Sequence, residues 1–384
     1  SELKDATKKN PARFAALLSK IPADANPGYV QQILSGISEA DSVPDESVVH
    51  AIRLAHAIPE KPYGNEIARL VERHPEIWSH PDIPNALIWY ALYGQANESD
   101  AVQKDNIGKD TVTIENLIQG GGGLHIRGMN GVRGWAWEAF GSILWRTSEL
   151  DELAWAAIDH ALTNEHLVSV RCCMMKAFLP LFNRDKVRFE VGFDALIGST
   201  VGSPVQTHSS RLAPLVTYSG VHVFPYIQSW LPSLARRLLD AMLQSGDKTT
   251  ELIAAWFIFG RSFQDEQLVA EATSLAGSSL DHRRLMAAVA GNVLSWTDQV
   301  ARAEAILKDA FADEDHQVRT QSSDAFRRLK PQDVERYTSL IDTFLRSPAF
   351  GENGFAVLHL MEEATCDVLD LTILAAEMTI ADIE

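Results

Sequence analysis

The residues that could start chemistry in this chain are a tetraglycine, Gly120 to Gly123, with His125, Arg127 and Arg133 close behind it. Main-chain N–H groups in such a turn, leading into a helix beside basic side chains, can cradle an anion. The nucleotide version of that device is absent. Neither Gly108-Lys109-Asp110 nor Gly246-Asp247-Lys248-Thr249 has a second glycine five residues earlier, as a phosphate-binding loop needs. No strand precedes the glycines, which removes the dinucleotide fingerprint as well. Twelve histidines invite a search for metal ligands. His50 and His56 do not share a helix face, His74 and His80 flank a proline turn, and His208 and His222 belong to different segments. With no His-Glu-x-x-His and no paired Cys-x-x-Cys, no metal site is expected. Cys172-Cys173, inside Val170 to Met175, reads as inner-helix packing. Asp313-Glu314-Asp315 and Glu362-Glu363 read as solvated turns and faces rather than acid/base pairs. The expectation is therefore no catalytic residue and no cofactor.

The elements that carry these residues read as helices. Asn10-Pro11 and Asn26-Pro27 each place a capping residue before a proline at the first helical position. Pro44 opens a segment with Val48, Val49, Ile52 and Ala55 on one face, and Asp82-Ile83-Pro84 opens another carrying Leu87, Ile88, Ala91 and Leu92. Tyr218 to Tyr226 is the best candidate for a strand, weakened by Pro225. Between Gly94 and Gly134 the helical pattern breaks, and a stretch of that length is a functional loop or linker.

A repeat follows. Val132-Arg133, Val170-Arg171 and Val318-Arg319 each lead into small and apolar residues, with Ala136 and Ala139, Ala177 and Leu181, and Ala325 and Leu329. Arg133 and Arg171 are 38 residues apart, and Arg171 and Arg319 are 148 apart, four steps of 37. Weaker copies stand at Ser210-Arg211 and Arg283-Arg284. A period in the high thirties is that of HEAT-type helical hairpins, none of which can bury its apolar face alone. The fold expected is all-α, a HEAT-like α-solenoid over 135–384, preceded by an N-terminal helical segment 1–94 and the Gly-rich loop 95–134. Arg133, Arg171, Arg211, Arg284 and Arg319 are read as structural repeat positions that reach an acid or carbonyl of the adjoining unit. Asn130, Glu165, Asp281 and Asp315 are read as helix-capping residues ahead of them.

Nine tryptophans add contact candidates. Trp135 and Trp137 lie about 200° apart around a helix and cannot both enter one groove. Together with Tyr218 and Tyr226 they are the expected protein-contact residues.

Composition narrows the partners. With 34 basic against 51 acidic residues the net charge is −17, which repels phosphate backbones, so nucleic acid is not expected. No apolar run reaches the length of a spanning helix. Three cysteines form no disulfide framework and fit a reducing, cytoplasmic setting. The chain begins without Met and closes inside an apolar-periodic stretch near Leu369 to Ala376, which reads as an excised piece of a longer protein.

The run Gly128-Met129-Asn130-Gly131-Val132-Arg133-Gly134-Trp135-Ala136-Trp137-Glu138-Ala139 resembles a signature of the C-terminal helical-repeat region of large bacterial STAND-type P-loop ATPases. Lys9 to Phe14 with Asn26 to Val30, Ser169 to Asp185, and Asp313 to Arg319 with Ala325 to Arg327 resemble further parts of that region, in the same order. Gly131 departs from it, standing where a serine is expected. The resemblance implies an ATPase core upstream of Ser1 and a sensor role in anti-phage defence, with a phage protein as partner. On this reading the chain is a non-catalytic interaction module that serves a larger ATPase. The alternatives are a HEAT-like DNA glycosylase-type enzyme, for which the basic pairs Arg236-Arg237, Arg283-Arg284 and Arg327-Arg328 would have to cluster, and a plain assembly scaffold.

Overall fold

The computed structural model describes residues 1–22, 25–96, 122–197, 219–294 and 300–381. Arg211, Tyr218, His208, Trp296, Gly120, Gly121 and Gly108-Lys109-Asp110 lie outside them. Every regular element among the described residues is a helix. The chain divides into two compact units, Ser1–Thr250 and Glu251–Glu384.

In the first unit the helices are α1 (Glu2–Lys9), α2 (Pro11–Leu17), α3 (Pro27–Ser38), α4 (Asp45–Ala57), α5 (Gly64–Arg73), α6 (Asp82–Tyr93), α7 (Gly122–Met129), α8 (Val132–Leu144), α9 (Asp151–Asn164), α10 (Val168–Phe182), α11 (Lys186–Ile197), α12 (Phe224–Ile227) and α13 (Pro232–Leu243). They pack by alternation. α1 lies on α3, α3 on α5, α5 on α8 and α8 on α10, while α2 lies on α4, α4 on α6, α6 on α9 and α9 on α11. Asn26 caps α3 by accepting from the Gly28 N–H at 2.9 Å, but Asn10 makes no side-chain cap at α2.

The centre of this unit is α10, whose residues are buried along almost its whole length, Val168 to Phe182. Trp155, Phe178, Phe189 and Phe193 form an aromatic chain beside it, with ring centroids 5.6 to 5.9 Å apart. Pro180 sits inside α10 and has no N–H for the Lys176 carbonyl one turn earlier. Gly141 of α8 packs against that carbonyl, where a Cβ would stand 2.8 Å from the oxygen. The two most tightly packed helices thus meet where one has lost a hydrogen bond and the other has no side chain.

The break after Gly94 does not separate independent bodies. The Val132 N–H donates to the Gln95 carbonyl at 2.8 Å, and α6 packs on α8 directly. The best candidate for a strand forms none among its described residues, in keeping with the all-α expectation. Residues 219–222 are helical, and α12 follows with Pro225 in its first turn, where a proline's missing N–H costs nothing.

In the second unit α14 (Lys248–Ser262), which begins three residues before the division, is followed by α15 (Val269–Ala276), α16 (Leu280–Val293), α17 (Val300–Phe311), α18 (His316–Ser323), α19 (Thr338–Leu345), α20 (Pro348–Asn353), α21 (Phe355–Glu362) and α22 (Leu369–Ala381). Here α16 packs on α18 and α18 on α20, while α17 packs on α19 and α19 on α22. Phe311, Phe326 and Phe344 form its aromatic centre, with centroids 4.7 to 5.8 Å apart. The Tyr337 hydroxyl donates to the Leu294 carbonyl at 2.6 Å, which satisfies a group that burial would otherwise strand.

Candidate functional site

Among the described residues, the repeat arginines Arg133, Arg171, Arg284 and Arg319 occupy buried or half-buried positions and bind protein. Arg133 on α8 meets the Glu165 carboxylate at 2.8 Å, just ahead of α10. Arg171 on α10 is fully buried and donates to four carbonyls: Glu165 at 3.0 Å, Leu162 at 3.2 Å, Ala195 at 3.3 Å and Leu196 at 2.9 Å. Those oxygens sit at the closing turns of α9 and α11, so one guanidinium ties three helices. Burial pulls the Arg171 pKa below its ordinary value, and burial pushes that of Glu165 up against the pull of the Leu167 N–H and Arg133. Arg319 bridges to Glu352 at the end of α20 and to the Asp313 carbonyl at 2.6 Å. Arg284 turns back to Asp281 of its own helix at 3.7 Å, and Arg283 is the residue that reaches forward, to Asp313 at 3.5 Å. Asp315 caps α18 and Glu165 accepts from the Leu167 N–H, whereas α16 is capped by Ser279 rather than Asp281.

The aromatic contact candidates part company. Trp137 is 0 % exposed and belongs to the core. Its ring centroid lies 6.3 Å from that of Phe140 inside the first unit, so the expectation that it is a contact residue is corrected. Trp135, on the other side of α8, is half-buried under the Arg69 guanidinium, 5.4 Å from its ring centroid. Tyr226 is 55 % exposed and lines a cleft of about 230 Å³ with Trp145, Leu179, Phe182, Asn183, Pro225, Ser229 and Trp230.

This cleft is the candidate site. Trp145 caps the C-terminus of α8 and is 52 % exposed, while Trp230 lies in the turn before α13 and is 63 % exposed. Arg184 fixes the rim by bonding both the Leu144 carbonyl and Asp151. The Lys186 ammonium stands 4.5 Å from the Trp230 ring centroid and 6.0 Å from that of Phe182, holding the wall upright by cation–π attraction. Small-molecule pockets run from about 300 to 1,000 Å³. A cleft below that range, with three large rings turned to water, has room for one or two side chains of another protein. Neither Trp145 nor Trp230 was singled out by spacing. The signal available was local: Trp145 is followed by Arg146-Thr147-Ser148, a helix end, and Trp230 by Leu231-Pro232, a helix start.

The fold also gathers a polar set that no spacing announces. His125 on α7, Glu138 on α8 and Cys173 on α10 bring one ligand atom each within 4.8 Å of one another. The His125 Nε2 is 2.6 Å from one oxygen of Glu138, and the Lys176 ammonium is 3.0 Å from the other. Burial pushes the Cys173 thiol far up, aided by Glu138. Cys172 and Cys173 are both buried, and Cys366 is half-buried.

Among the described residues no helix is long and apolar enough to cross a membrane. The fold and site define an all-helical protein of alternately packed helices with an open aromatic cleft. Compared with protein-family models, curated proteins and solved structures, the chain has no match.

Proposed function

We propose that this chain is a non-catalytic, HEAT-like interaction module of the cytoplasm whose cleft at Trp145, Tyr226 and Trp230 receives side chains of a protein partner. The observation that carries this reading is the convergence of three exposed rings on one cleft, since tryptophan and tyrosine anchor protein interfaces far above their abundance. The solenoid part of the reading rests on the repeat period and on helices that pack two or three apart in sequence within each unit. The run Gly128 to Ala139 supports placing the module as the sensor region of a bacterial STAND-type ATPase, with a phage protein as the partner.

A nucleic-acid enzyme is the weaker reading. Arg236 pairs with Asp240 at 2.7 Å, Arg237 with Glu190 at 2.7 Å, Arg283 with Asp313 at 3.5 Å and Arg327 with Asp324 at 3.3 Å. Basic pairs already neutralised in this way offer little to a phosphate backbone.

The test is affinity capture with the wild-type chain and with Trp145→Ala/Tyr226→Ala/Trp230→Ala, from phage-infected and uninfected bacterial lysates. A viral protein retained only by the wild type supports sensing at the cleft. A host protein retained equally from both lysates leaves a scaffold. Capture that the triple substitution does not weaken refutes the cleft as the contact surface.

A further inference from the structure

We propose that His125, Glu138 and Cys173 form a binding site for a single Zn²⁺ ion, with three protein ligands and one open coordination position. The case begins with chemical type. A thiolate, an imidazole and a carboxylate suit a borderline-soft divalent ion, and zinc takes such mixed sets. Geometry follows. The three ligand atoms come from three different helices, α7, α8 and α10, yet all lie within 4.8 Å of one another. Coincidence of surface acids does not explain them, because Cys173 is 0 % exposed and Glu138 5 %.

The surrounding backbone is shaped around the sulfur. A Cβ at Gly128 would stand 2.6 Å from the Cys173 Sγ, and one at Gly134 would stand 3.0 Å from it. The same glycines let α7 close on the Ser169 carbonyl of α10 and α8 close on the Gly128 carbonyl, where a Cβ would stand 2.2 and 2.1 Å from the oxygens, so the sulfur lies where three helices approach closely. The remaining charges are already arranged. Lys176 holds one oxygen of Glu138 at 3.0 Å and leaves the other to His125, at 2.6 Å. Lys176 is in turn 4.0 Å from Glu72, so its charge is shared.

The proton balance closes without a co-reactant. The Cys173 thiol releases its proton to solvent on coordination, His125 ligates through Nε2 with its proton on Nδ1, and Glu138 enters as the carboxylate. A bound ion of charge +2 is then matched by the thiolate and the Glu138 carboxylate, and the Lys176 ammonium by Glu72, so no net charge is stranded there. Because a proton is released, binding strengthens as pH rises.

The test uses the full chain, stripped of metal with a chelator and titrated with Co²⁺ as a spectroscopic stand-in for Zn²⁺. One equivalent should bind and give a thiolate-to-cobalt charge-transfer band, which Zn²⁺ then bleaches. The band should survive Cys172→Ser and Cys366→Ser and vanish in Cys173→Ser. Should Cys173→Ser not fold, zinc-edge X-ray absorption of the wild type loaded with one equivalent settles the matter, with one sulfur at about 2.3 Å expected. No binding, binding without sulfur, or a band that depends on Cys172 or Cys366 overturns the proposal.

Discussion

Replacing Arg171 with alanine should cost the first unit more than any other single charge removal. The side chain is buried, and its four hydrogen bonds run to carbonyls at the ends of α9 and α11 and in the turn before α10. Truncation leaves those oxygens without this donor and Glu165 with Arg133 as its remaining cation. Four buried carbonyls losing a charged donor, at about 1 kcal/mol each, cost about 3–5 kcal/mol together. At roughly 2–4 °C per kcal/mol for a unit of this size, the melting temperature should fall by about 6–20 °C. Arg133→Ala is the internal control, since its one bond to Glu165 is partly open to water and worth about 1–2 kcal/mol. Urea unfolding followed by tryptophan fluorescence suits the measurement, because seven of the nine tryptophans fall within Ser1–Thr250. Arg171→Lys should recover part of the loss, as one ammonium cannot span carbonyls on both sides. If Arg171→Ala costs no more than Arg133→Ala, the idea that this guanidinium ties three helices is wrong.

Other outcomes are as open to measurement. Trp137→Ala should destabilise by about 3–5 kcal/mol, as expected for a core indole, while Trp135→Ala should cost less than half of that in the same urea titration. Gly134→Ala should cost about 1–3 kcal/mol, since its Cβ would stand 2.1 Å from the Gly128 carbonyl oxygen; an unchanged midpoint would mean that α7 moves freely. Hydrogen bonds from Lys4 and then Lys8 pull Glu39 down to about 2, so NMR should find its carboxylate ionised well below the usual range. Its folded value is depressed, so its contribution to stability is present at neutral pH and fades as pH falls from the ordinary carboxylate value through about 2. Lys4→Ala/Lys8→Ala should return that midpoint toward 4.5. A thiol reagent should modify Cys366 alone in the folded protein and all three cysteines after unfolding; rapid labelling of Cys172 or Cys173 in the native state would contradict their burial.

Much of the helical plan was legible because it is local. Asn26 announces α3 through its own cap, and the Val-Arg pairs mark α8, α10 and α18 by recurring small residues that any reader of the chain can count. The best candidate for a strand is equally instructive. Tyr218 to Tyr226 alternates apolar and polar residues, but Pro225 fits the first turn of α12, and burial of Phe224 and Ile227 decides for helix. Long-range placement was harder to read. Trp135 and Trp137 are two residues apart, and nothing in their spacing says that the fold buries the second and leaves the first half-exposed. His125, Glu138 and Cys173 come together only because α7, α8 and α10 cross, so no interval along the chain records their meeting. Arg283 and Arg284 differ by one helical step, and only the position of Asp313 selects the first as the bridging residue.

The bond from the Val132 N–H to the Gln95 carbonyl joins two residues that stand 37 apart along the chain. The entropy of closing such a ring grows slowly, by only about 0.6 kcal/mol for each doubling of its length. A reporter or a foreign recognition peptide inserted between residues 97 and 121 should therefore cost little in closure entropy while α6 and α8 keep their packing, whereas α7, which packs on α10, has to stay.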